Sequence, residues 1–355
     1  MEGLGLNLSF WKDKKVFITG HTGFKGGWIT LWLSELGASV YGYSLEPSTI
    51  PNFFTETRLR EHLVKSTFGD ILDFESLTNA LEIAKPDIII HMAAQPLVLN
   101  SYIAPTQTFA SNVMGTVNIL EAARHVGTAK AIINITTDKC YENKDWVWSY
   151  RENDRLGGFD PYSASKACAE IAANAYRKSF LEVKNIHLAS VRAGNVIGGG
   201  DWAADRLIPD FLRAQDKGEK ITVRSPSAIR PWQHVLEPLS GYLLLAEKLY
   251  TEGNAFAESW NFGPNDEDTK SVSWILDKLC SLSPGVIYKT KNHHNRHESK
   301  FLKIDSSKAK IKLNWKPRWN VEIALKNTIE WHKAWQKNND MSLFSSEQIR
   351  IYSHL

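Results

Sequence analysis

Residues 15–26 read Lys-Val-Phe-Ile-Thr-Gly-His-Thr-Gly-Phe-Lys-Gly, and this stretch decides the fold. The first five residues form a short apolar run that predicts a buried strand. Glycines at 20, 23 and 26 follow, and glycine lets a turn tighten and lets backbone approach a pyrophosphate at a helix N-terminus. Residues 27–36 then have apolar side chains at helical spacing and stop at Gly37, a helix-ending signal. The order strand, glycine turn, helix predicts a nucleotide-binding unit.

The glycine spacing, three and three, differs from the common dinucleotide fingerprint. Taken alone, such a turn also fits a simple connection between a strand and a helix. Its position directly after the first strand favours nucleotide binding.

The rest of the first half alternates strand-like and helix-like segments. Strands are predicted at 39–43, 87–91, 131–135 and 187–191, and helices at 74–84 and 110–126. Strands that alternate with helices indicate a parallel sheet, and strands this apolar fit burial on both faces. The fold class is therefore predicted as α/β, with a Rossmann-like doubly wound parallel sheet and a smaller C-terminal substrate-binding domain.

Beyond about residue 193 the pattern is less regular. Helices are predicted at 208–215, 236–249, 272–282 and 321–336, and short strands at 221–224 and 260–263, before a polar end. We expect two domains. Residues 1–193 form the dinucleotide-binding domain, with a returning segment near 231–263, and residues 194–355 mainly bind the substrate.

The composition limits the class of protein. Of 355 residues, 43% are hydrophobic, which supports a substantial core, and the net charge of +3 is too small to indicate nucleic acid. No apolar run reaches the ~18 residues needed to span a membrane, and the first fifteen residues lack a signal-peptide pattern. Cys140, Cys168 and Cys280 are too few for a disulfide framework. We expect a cytoplasmic protein with no nucleic-acid or membrane partner.

Two neighbouring motifs carry acid–base chemistry. Thr136-Thr137-Asp138-Lys139 ends the apolar run 131–135, and Tyr162-Ser-Ala-Ser-Lys166 begins 23 residues past Lys139. Tyr162 and Lys166, four apart on a helix, share one face, and the lysine cation is expected to lower the pKa of the phenol. A phenol tuned in this way can take a proton from an alcohol. Asp138 and Lys139 indicate a second acid–base task, although by themselves they also fit a surface ion pair.

The predicted cofactor contacts follow the strands of the first half. At the tip of the second strand, Ser44 stands where an acidic residue would favour NAD, and Glu46 is either a ribose contact or a solvated loop residue. Asp70 fits adenine binding or a turn. Asn112 fits a structural role in which its side chain connects the helix to the catalytic strand. The residues expected to contact the cofactor are Gly20, Thr22, Gly23, Phe24, Lys25, Gly26, Asp70, Ile71, Ala93, Ala94, Gln95, Asn112, Tyr162 and Lys166.

With these motifs, nearly the whole chain resembles the extended short-chain dehydrogenase/reductases. Thr137-Asp138-Lys139 is similar to the nucleotide-sugar 4,6-dehydratases, which carry Asp plus Glu or Lys after the catalytic hydroxyl. The resemblance is closest to the members that act on CDP-glucose. It rests on Gly20-His-Thr-Gly-Phe-Lys-Gly26, His91-Met-Ala-Ala-Gln-Pro-Leu-Val98, Asp138-Lys-Cys-Tyr141, Val191-Arg-Ala-Gly-Asn-Val-Ile-Gly-Gly-Gly-Asp-Trp202 and Arg230-Pro-Trp-Gln-His-Val235. One departure is Leu99, where the family usually has arginine.

The resemblance implies an NAD-dependent hydro-lyase in which each catalytic residue has a separate role. Tyr162 takes the proton of the glucose 4-hydroxyl, Lys166 assists Tyr162 and holds the nicotinamide ribose, and Thr137 hydrogen-bonds the 4-oxygen. Asp138 protonates the departing 6-hydroxyl, and Lys139 assists removal of the C5 proton. Lys139 acts as a base only if burial lowers its pKa; if it stays charged, it stabilises the enolate.

The resemblance also assigns substrate contacts. Asn195 and Arg230 are expected at the nucleotide diphosphate, which suits the arginine fork. Arg206 is a further candidate from its residue type, although a lone arginine also fits a solvated position. Packing is the expected role of Trp146, Trp148, Trp202 and Trp232, with stacking on sugar or base as the alternative. His293, His294 and His297 fit a solvated loop better than a metal site, and no metal is predicted.

Several alternatives stay open. A UDP-sugar dehydratase or an epimerase is the nearest alternative, and a non-catalytic NAD-sensing protein is a more distant one. Asp138 and Lys139 argue against a simple epimerase, and the intact Thr137, Tyr162 and Lys166 argue against a sensor. The implied product is a precursor of the deoxysugars of surface polysaccharides such as the O-antigen of lipopolysaccharide. Helices near 107–126 and 161–180 are expected to pair in a homodimer or homotetramer.

Overall fold

The computed structural model describes residues 5–223, 225–290 and 301–354. The last residue of the predicted strand 221–224, and the histidines at 293, 294 and 297, lie outside the described residues. The strands are β1 (Lys15–Thr19), β2 (Ser39–Ser44), β3 (Lys65–Phe68), β4 (Ile88–His91), β5 (Ala131–Ile135), β6 (His187–Ala193), β7 (Asn195–Ile197), β8 (Lys220–Val223), β9 (Ile229–His234), β10 (Ser259–Phe262), β11 (Thr269–Ser271) and β12 (Ile287–Thr290).

The helices follow the same alternation in the first half of the chain. They are α1 (Leu8–Trp11), α2 (Phe24–Glu35), α3 (Phe53–Glu56), α4 (Phe74–Ala84), α5 (Val98–Ile103), α6 (Pro105–Phe109), α7 (Gly115–Val126), α8 (Pro161–Tyr176), α9 (Leu207–Lys217), α10 (Leu236–Glu252), α11 (Val272–Leu282), α12 (Ser307–Lys312), α13 (Val321–Gln336) and α14 (Met341–His354). Short π-helical turns at Ala110–Met114 and Arg177–Leu181 join α6 to α7 and extend α8.

Seven parallel strands form the central sheet in the order β10-β6-β5-β4-β1-β2-β3. The chain runs outward from β1 to β3 on one side and from β4 onward on the other, so the strand order reverses between β1 and β4. Ligands bind at such a reversal in doubly wound sheets. The predicted Rossmann-like fold class is confirmed.

Both faces of the sheet are covered because its strands are apolar on both sides. Val16 and Ile18 point to one face, where they join an apolar cluster with α2 and α10. Phe17 points to the other face, where it joins a cluster with α4 and α7. This alternation is the side-chain period of a strand. The sheet is therefore buried between helices, and its carboxyl edge is left for a site.

The second half forms two small sheets, in the orders β11-β9-β7 and β12-β8. A third apolar cluster, which includes Phe211, Ile275 and Leu325, packs α9, α11 and α13 together. Within residues 231–263, α10 packs against β5 and β6, and β10 pairs with β6. Within the same segment, β9 pairs with β7 and β11. The domain boundary at residue 193 stays a prediction.

The end of the chain differs from the expectation of a polar end. Residues Met341–His354 form helix α14, and its buried Ile349 and Tyr352 join the cluster that contains α2. The helix was missed because its few apolar residues stand among serines and charged residues. Among the described residues, no helix has the length and apolar content needed to cross a membrane.

Candidate active site

The carboxyl edge of the central sheet opens into one cavity of about 1680 Å³. Sites for one small molecule usually measure ~300–1,000 Å³, so the cavity has room for a cofactor and a substrate together. Every site residue predicted from the sequence lines it except Asn112. The walls come from both halves of the chain: the glycine turn and the ends of β4 and β5 on one side, β7 and β9 on the other.

The glycine turn leaves no room for a side chain at Gly20 or at Gly26. Gly20 has φ +81°, and a Cβ there would lie 2.8 Å from the backbone nitrogen of Ala93. A Cβ at Gly26 would lie 2.0 Å from the carbonyl oxygen of Gly20. The turn ends at the N-terminus of α2, where backbone N–H groups and the helix dipole favour an anion. This cradle fits the pyrophosphate of a dinucleotide.

The tip of β2 has no carboxylate. The Ser44 hydroxyl lies 2.8 Å from the Thr22 hydroxyl, which donates to the carbonyl of Leu45 at 2.9 Å. Glu46 lines the cavity one residue further on. Asp70 also lines it, and its carboxylate accepts the N–H of Leu72 at 2.9 Å, so the expected turn role of Asp70 is present at the cavity wall.

Asn112 lies behind the wall and holds two parts of it together. Its Oδ1 accepts the N–H of Gln95 at 2.8 Å, and its Nδ2 donates to the Ser165 hydroxyl at 2.8 Å. The residue sits in the π-helical turn Ala110–Met114, a feature frequent at functional sites. Asn112 therefore ties the loop after β4 to α8, next to Lys166.

Helix α8 carries Tyr162 and Lys166. The helix begins at Pro161, and the carboxylate of Asp160 caps it by accepting the N–H of Ser163 at 2.9 Å. Lys166 Nζ donates to the carbonyl of Ile135 at 3.1 Å. Burial lowers the pKa of Lys166 to about 8, with the negative charge of Glu170 opposing the shift.

The pKa of Tyr162 is raised, not lowered. Burial raises the pKa of this phenol to about 12, although a hydrogen bond with Thr137 and the positive charge of Arg206 both oppose the rise. The expectation that Lys166 leaves Tyr162 with a lowered pKa is therefore wrong for this structure. Desolvation of the phenolate outweighs the nearby favourable interactions.

Asp138 begins the short turn Asp138–Cys140 at the end of β5. Its Oδ1 accepts the Thr137 hydroxyl at 3.0 Å, whereas Oδ2 is buried and has no hydrogen-bond partner among the described residues. Burial raises the pKa of Asp138, with Lys139, Thr137 and Arg230 opposing the shift in that order. A carboxyl group in such surroundings holds its proton more readily than one in water, so it is suited to act as an acid.

The remaining charged residues converge on the same space. Lys139 is half-buried at the wall, and Arg206 Nη1 donates to Asp201 Oδ2 at 2.8 Å. Arg230 lies buried on β9, where its Nη1 donates to the carbonyl of Ile229 at 2.8 Å and its charge reaches Asp138. Asn195 faces the cavity from β7. The diphosphate candidates therefore line the same cavity as the glycine turn.

Lys25 adds an unusual cation to the cavity. Its Nζ donates to the Tyr242 hydroxyl at 3.3 Å. Burial lowers the pKa of Lys25 to about 7, and the charges of Lys166 and Arg206 lower it further, while Asp138 opposes them. The three basic residues together make the cavity favourable for anionic ligands.

The candidate tryptophans divide into two groups. Trp202 and Trp232 line the cavity, and Trp202 packs edge-on against Trp331 and Trp335 with ring centroids 5.6 and 5.2 Å apart. Trp146 and Trp148 pack against each other away from the lining, and the Trp146 ring stacks on Tyr150. The expected packing role is thus observed for Trp146, which contacts Tyr150, and for Trp202, which contacts Trp331 and Trp335.

Two charged residues were missed by the sequence prediction. Asp201, directly after Gly198-Gly-Gly200, pairs with Arg206. Glu170 pairs with Arg192 in the interior, with both side chains at most 3% exposed. The spacing from Lys166 to Glu170 repeats that from Tyr162 to Lys166, so the helical face could have revealed Glu170.

The chain has clear relatives. Residues 17–328 match the family described as GDP-mannose 4,6 dehydratase. A CDP-glucose 4,6-dehydratase of Salmonella typhimurium is 52% identical over 353 residues, which cover 98% of each chain.

Two solved structures share the fold. A UDP-glucose 4-epimerase from Stenotrophomonas maltophila with bound NAD gives a TM-score of 0.80 at 18% identity, covering 91% of this chain and 99% of that one. A dTDP-glucose 4,6-dehydratase from Bacillus anthracis in complex with NAD gives 0.74 at 20% identity, covering 92% and 99%. At these identities the two structures support the fold alone.

Proposed function

The chain belongs to the GDP-mannose 4,6 dehydratase family, and on that premise we propose that it is an NAD-dependent hydro-lyase that converts CDP-D-glucose to CDP-4-keto-6-deoxy-D-glucose and water. The observation that carries the proposal is the 52% identity, over 98% of the chain, to a CDP-glucose 4,6-dehydratase. The geometry supports the same chemistry, because a buried carboxyl group, a phenol and two lysines meet in one cavity.

NAD fits the glycine cradle and the basic residues beside it. NAD bound in this cradle would supply the hydride acceptor for C4 of the sugar and the hydride donor for C6. The backbone between Gly20 and Gly26 would hold its pyrophosphate, and Lys166 would hold the nicotinamide ribose. Ser44 at the tip of β2 provides a hydroxyl, not a carboxylate, toward the adenosine ribose.

Oxidation at C4 is the task of Tyr162, Lys166 and Thr137. Tyr162 takes the proton of the 4-hydroxyl, and the Thr137 hydroxyl, which donates to Asp138 Oδ1 in the structure, turns to donate to the 4-oxygen. The high pKa of Tyr162 makes its phenolate a strong base once formed, and the hydrogen bond with Thr137 and the positive charge of Arg206 favour that form. The product keeps the ketone at C4, so the proton that Tyr162 has taken passes through solvent to Asp138, which has given one to the departing hydroxyl, and the overall reaction neither consumes nor releases a proton.

Elimination of water is the task of Asp138 and Lys139. The 4-keto group acidifies the C5 proton, which the neutral amine of Lys139 accepts, and a solvent-derived proton returns to C5 after the hydride has reached C6. The Asp138 carboxyl donates its proton to the departing 6-hydroxyl through Oδ2, the oxygen left without a protein partner among the described residues. An acid for the leaving group and a base for the carbon acid are the two parts that such an elimination needs.

The diphosphate of the substrate lies between β7 and β9, where Asn195, Arg206 and Arg230 contact it. We place the enzyme in the cytoplasm and expect a homodimer or a homotetramer. The product is a precursor of deoxysugars for surface polysaccharides.

A panel of sugar nucleotides tests the proposal. The purified protein is incubated with NAD and, separately, CDP-, UDP-, GDP- and dTDP-glucose, and the alkali-induced absorbance of a 4-keto-6-deoxy sugar is measured. Turnover with CDP-glucose is expected. Turnover of a different nucleotide alone would overturn the base assignment, a C4 epimer would indicate an epimerase, and no reaction with any of them would overturn the enzymatic function.

A further inference from the structure

A buried ion pair lies directly behind the turn that carries Asp138 and Lys139. Arg192 of β6 donates from Nη2 to Glu170 Oε2 at 2.8 Å and from Nε to Oε1 at 2.9 Å. Both side chains are at most 3% exposed. Such pairs are costly to bury, and replacing them by apolar side chains is often neutral or stabilising, so stability alone is a weak explanation for this one.

The ion pair holds the turn from both ends. Before the turn, the Thr136 hydroxyl donates to Glu170 Oε1 at 2.5 Å. After it, Arg192 Nη1 donates to the Tyr141 hydroxyl at 2.8 Å, and that hydroxyl donates to Asn261 Oδ1 at 2.7 Å. Thr136 and Tyr141 therefore fix the two chain segments between which Asp138 and Lys139 stand.

Two of the three residues of the oxidation step, Tyr162 and Lys166, have supports outside the turn, whereas Thr137 caps the turn itself. Asp160 caps the start of α8, and Asn112 holds Ser165 from the π-helical turn. Lys166 is bonded to the carbonyl of Ile135. Loosening the turn Asp138–Cys140 would therefore leave Tyr162 and Lys166 better positioned than Asp138.

We propose that Glu170 and Arg192, acting through Thr136 and Tyr141, are positioning residues for the elimination step. The proposal rests on the proposed function, because it concerns one half of that reaction. Displacing a reacting group by about 1 Å can slow a step by ~10²-fold. Hydrogen bonds lost at the ends of the turn should therefore slow elimination selectively and leave C4 oxidation nearly intact.

Two variants test the proposal without breaking the ion pair. Thr136→Val removes the hydroxyl at the first end while keeping the side-chain shape, and Tyr141→Phe removes the hydroxyl at the second end while keeping the ring. In single turnovers with NAD and CDP-glucose, formation of reduced nicotinamide reports oxidation, and formation of the 4-keto-6-deoxy sugar reports elimination. We expect elimination to slow by about tenfold or more and oxidation by less than about threefold in each variant, with a larger steady-state fraction of reduced cofactor.

Ser259→Ala is the matched control. The Ser259 hydroxyl donates to Glu170 Oε2 at 3.2 Å and accepts from Arg192 Nη2 at 3.1 Å, so it contacts the same pair on the side of β10. Both steps should stay within about twofold of wild type, because this hydroxyl does not contact the turn.

A second readout does not depend on activity. Amide hydrogen exchange of the free protein is measured over residues 136–142 by mass spectrometry. Exchange should be faster in Thr136→Val and Tyr141→Phe than in wild type, and unchanged in Ser259→Ala. If one of the two turn variants does not fold, the other decides the question.

The proposal is overturned if both steps slow in parallel, if neither turn variant slows elimination, or if Ser259→Ala has the same effect as the turn variants. Failure of the proposed function gives a different result. In that case the wild-type protein itself forms no 4-keto-6-deoxy sugar, and the proposed positioning role is then wrong as well.

Discussion

Asp138 has one carboxyl oxygen that accepts a hydrogen bond from Thr137 and a second, buried one that has no hydrogen-bond partner among the described residues. Burial raises the pKa of Asp138, which favours the protonated form that an acid needs. Oxidation at C4 does not require this proton. The two halves of the proposed reaction can therefore be separated by one substitution.

Asp138→Asn should preserve formation of reduced nicotinamide with CDP-glucose and slow elimination of water by ~10²–10⁴-fold, the usual contribution of a general acid. Single-turnover absorbance and product analysis measure the two rates. Asp205→Asn is the control, since Asp205 lines the same cavity at φ +61°, a conformation that asparagine adopts readily. Elimination at the wild-type rate in Asp138→Asn would show that another group supplies the proton.

Lys166 should give the oxidation step an alkaline limit. Burial lowers its pKa to about 8, so the cation is present below that value and is lost as the pH rises through it. The single-turnover rate of C4 oxidation should fall above about pH 8 in wild type. Lys166→Arg keeps its charge, because the guanidinium pKa exceeds ~12, and should show no such fall even if its rate is lower. Identical pH profiles for the two proteins would contradict this role.

At the scale of elements, apolar periodicity was enough to predict the strands that are buried and the helices that cover them. Strand β1, helix α4 and strand β5 have the predicted bounds. Strand β3 was missed because Lys65-Ser-Thr-Phe68 is polar and forms the exposed edge of the sheet. Helix α14 was missed because its support comes from residues distant in sequence, among them Glu237.

The residues of the candidate site also divide into those that the sequence could predict and those that only the fold reveals. The glycine turn and the Tyr162 and Lys166 motif were predictable because their chemistry depends on local spacing. Asp201 became visible only when the fold brought Arg206 beside it, whereas Glu170, four residues after Lys166 on the same helix, could have been found from its spacing. The pKa of Tyr162 could not be predicted because it depends on burial in the folded protein.

Glu237 connects α10 to the C-terminal helix α14 and should make stability depend on pH. Its carboxylate accepts the N–H of Trp319 at 2.7 Å and the Tyr352 hydroxyl at 2.9 Å. Burial raises the pKa of Glu237 to about 7. Since the pKa is higher in the folded state, the stabilising contribution is complete below about pH 4.5 and is lost as the pH rises through about 7.

The expected loss for wild type between about pH 5 and 8 is on the order of 3 kcal/mol in the free energy of unfolding. Glu237→Gln removes the titrating group and should flatten this part of the profile. Urea unfolding at several pH values gives the comparison. Glu35→Gln, which removes a carboxylate bonded to Ser346 of α14 at 3.0 Å, should keep the wild-type slope. An equally steep profile in Glu237→Gln would mean that another group causes it.

At the scale of the whole molecule, the cavity lies where the seven-stranded sheet meets the smaller sheets, and each contributes one part of the chemistry. In the proposed function, the glycine turn binds the cofactor, β5 and α8 carry the residues that act on the sugar, and β7 and β9 carry those that bind the diphosphate. The outer surface of residues 110–126 and helix α8 exposes apolar side chains, among them Met114 of the π-helical turn at 49% and Ile171 of α8 at 59%. We expect this surface to pair with a second copy of the chain.

Ile171→Glu should shift the protein toward the monomer, because it places a charge in the expected interface. Sedimentation velocity measures the change in mass. Ile351→Glu is the control, since Ile351 is 50% exposed on α14, away from that surface. A wild-type monomer, or an unchanged oligomer in Ile171→Glu, would contradict the assignment of this surface.

In the proposed reaction, one site oxidises C4 of the sugar, eliminates water, and returns the hydride taken from C4 to C6. The most direct measurement uses CDP-glucose labelled with deuterium at C4, followed by NMR and mass spectrometry of the product. We expect deuterium at C6 of the product and a solvent-derived hydrogen at C5. Loss of the deuterium to water, or its retention at C4, would contradict the proposed reaction.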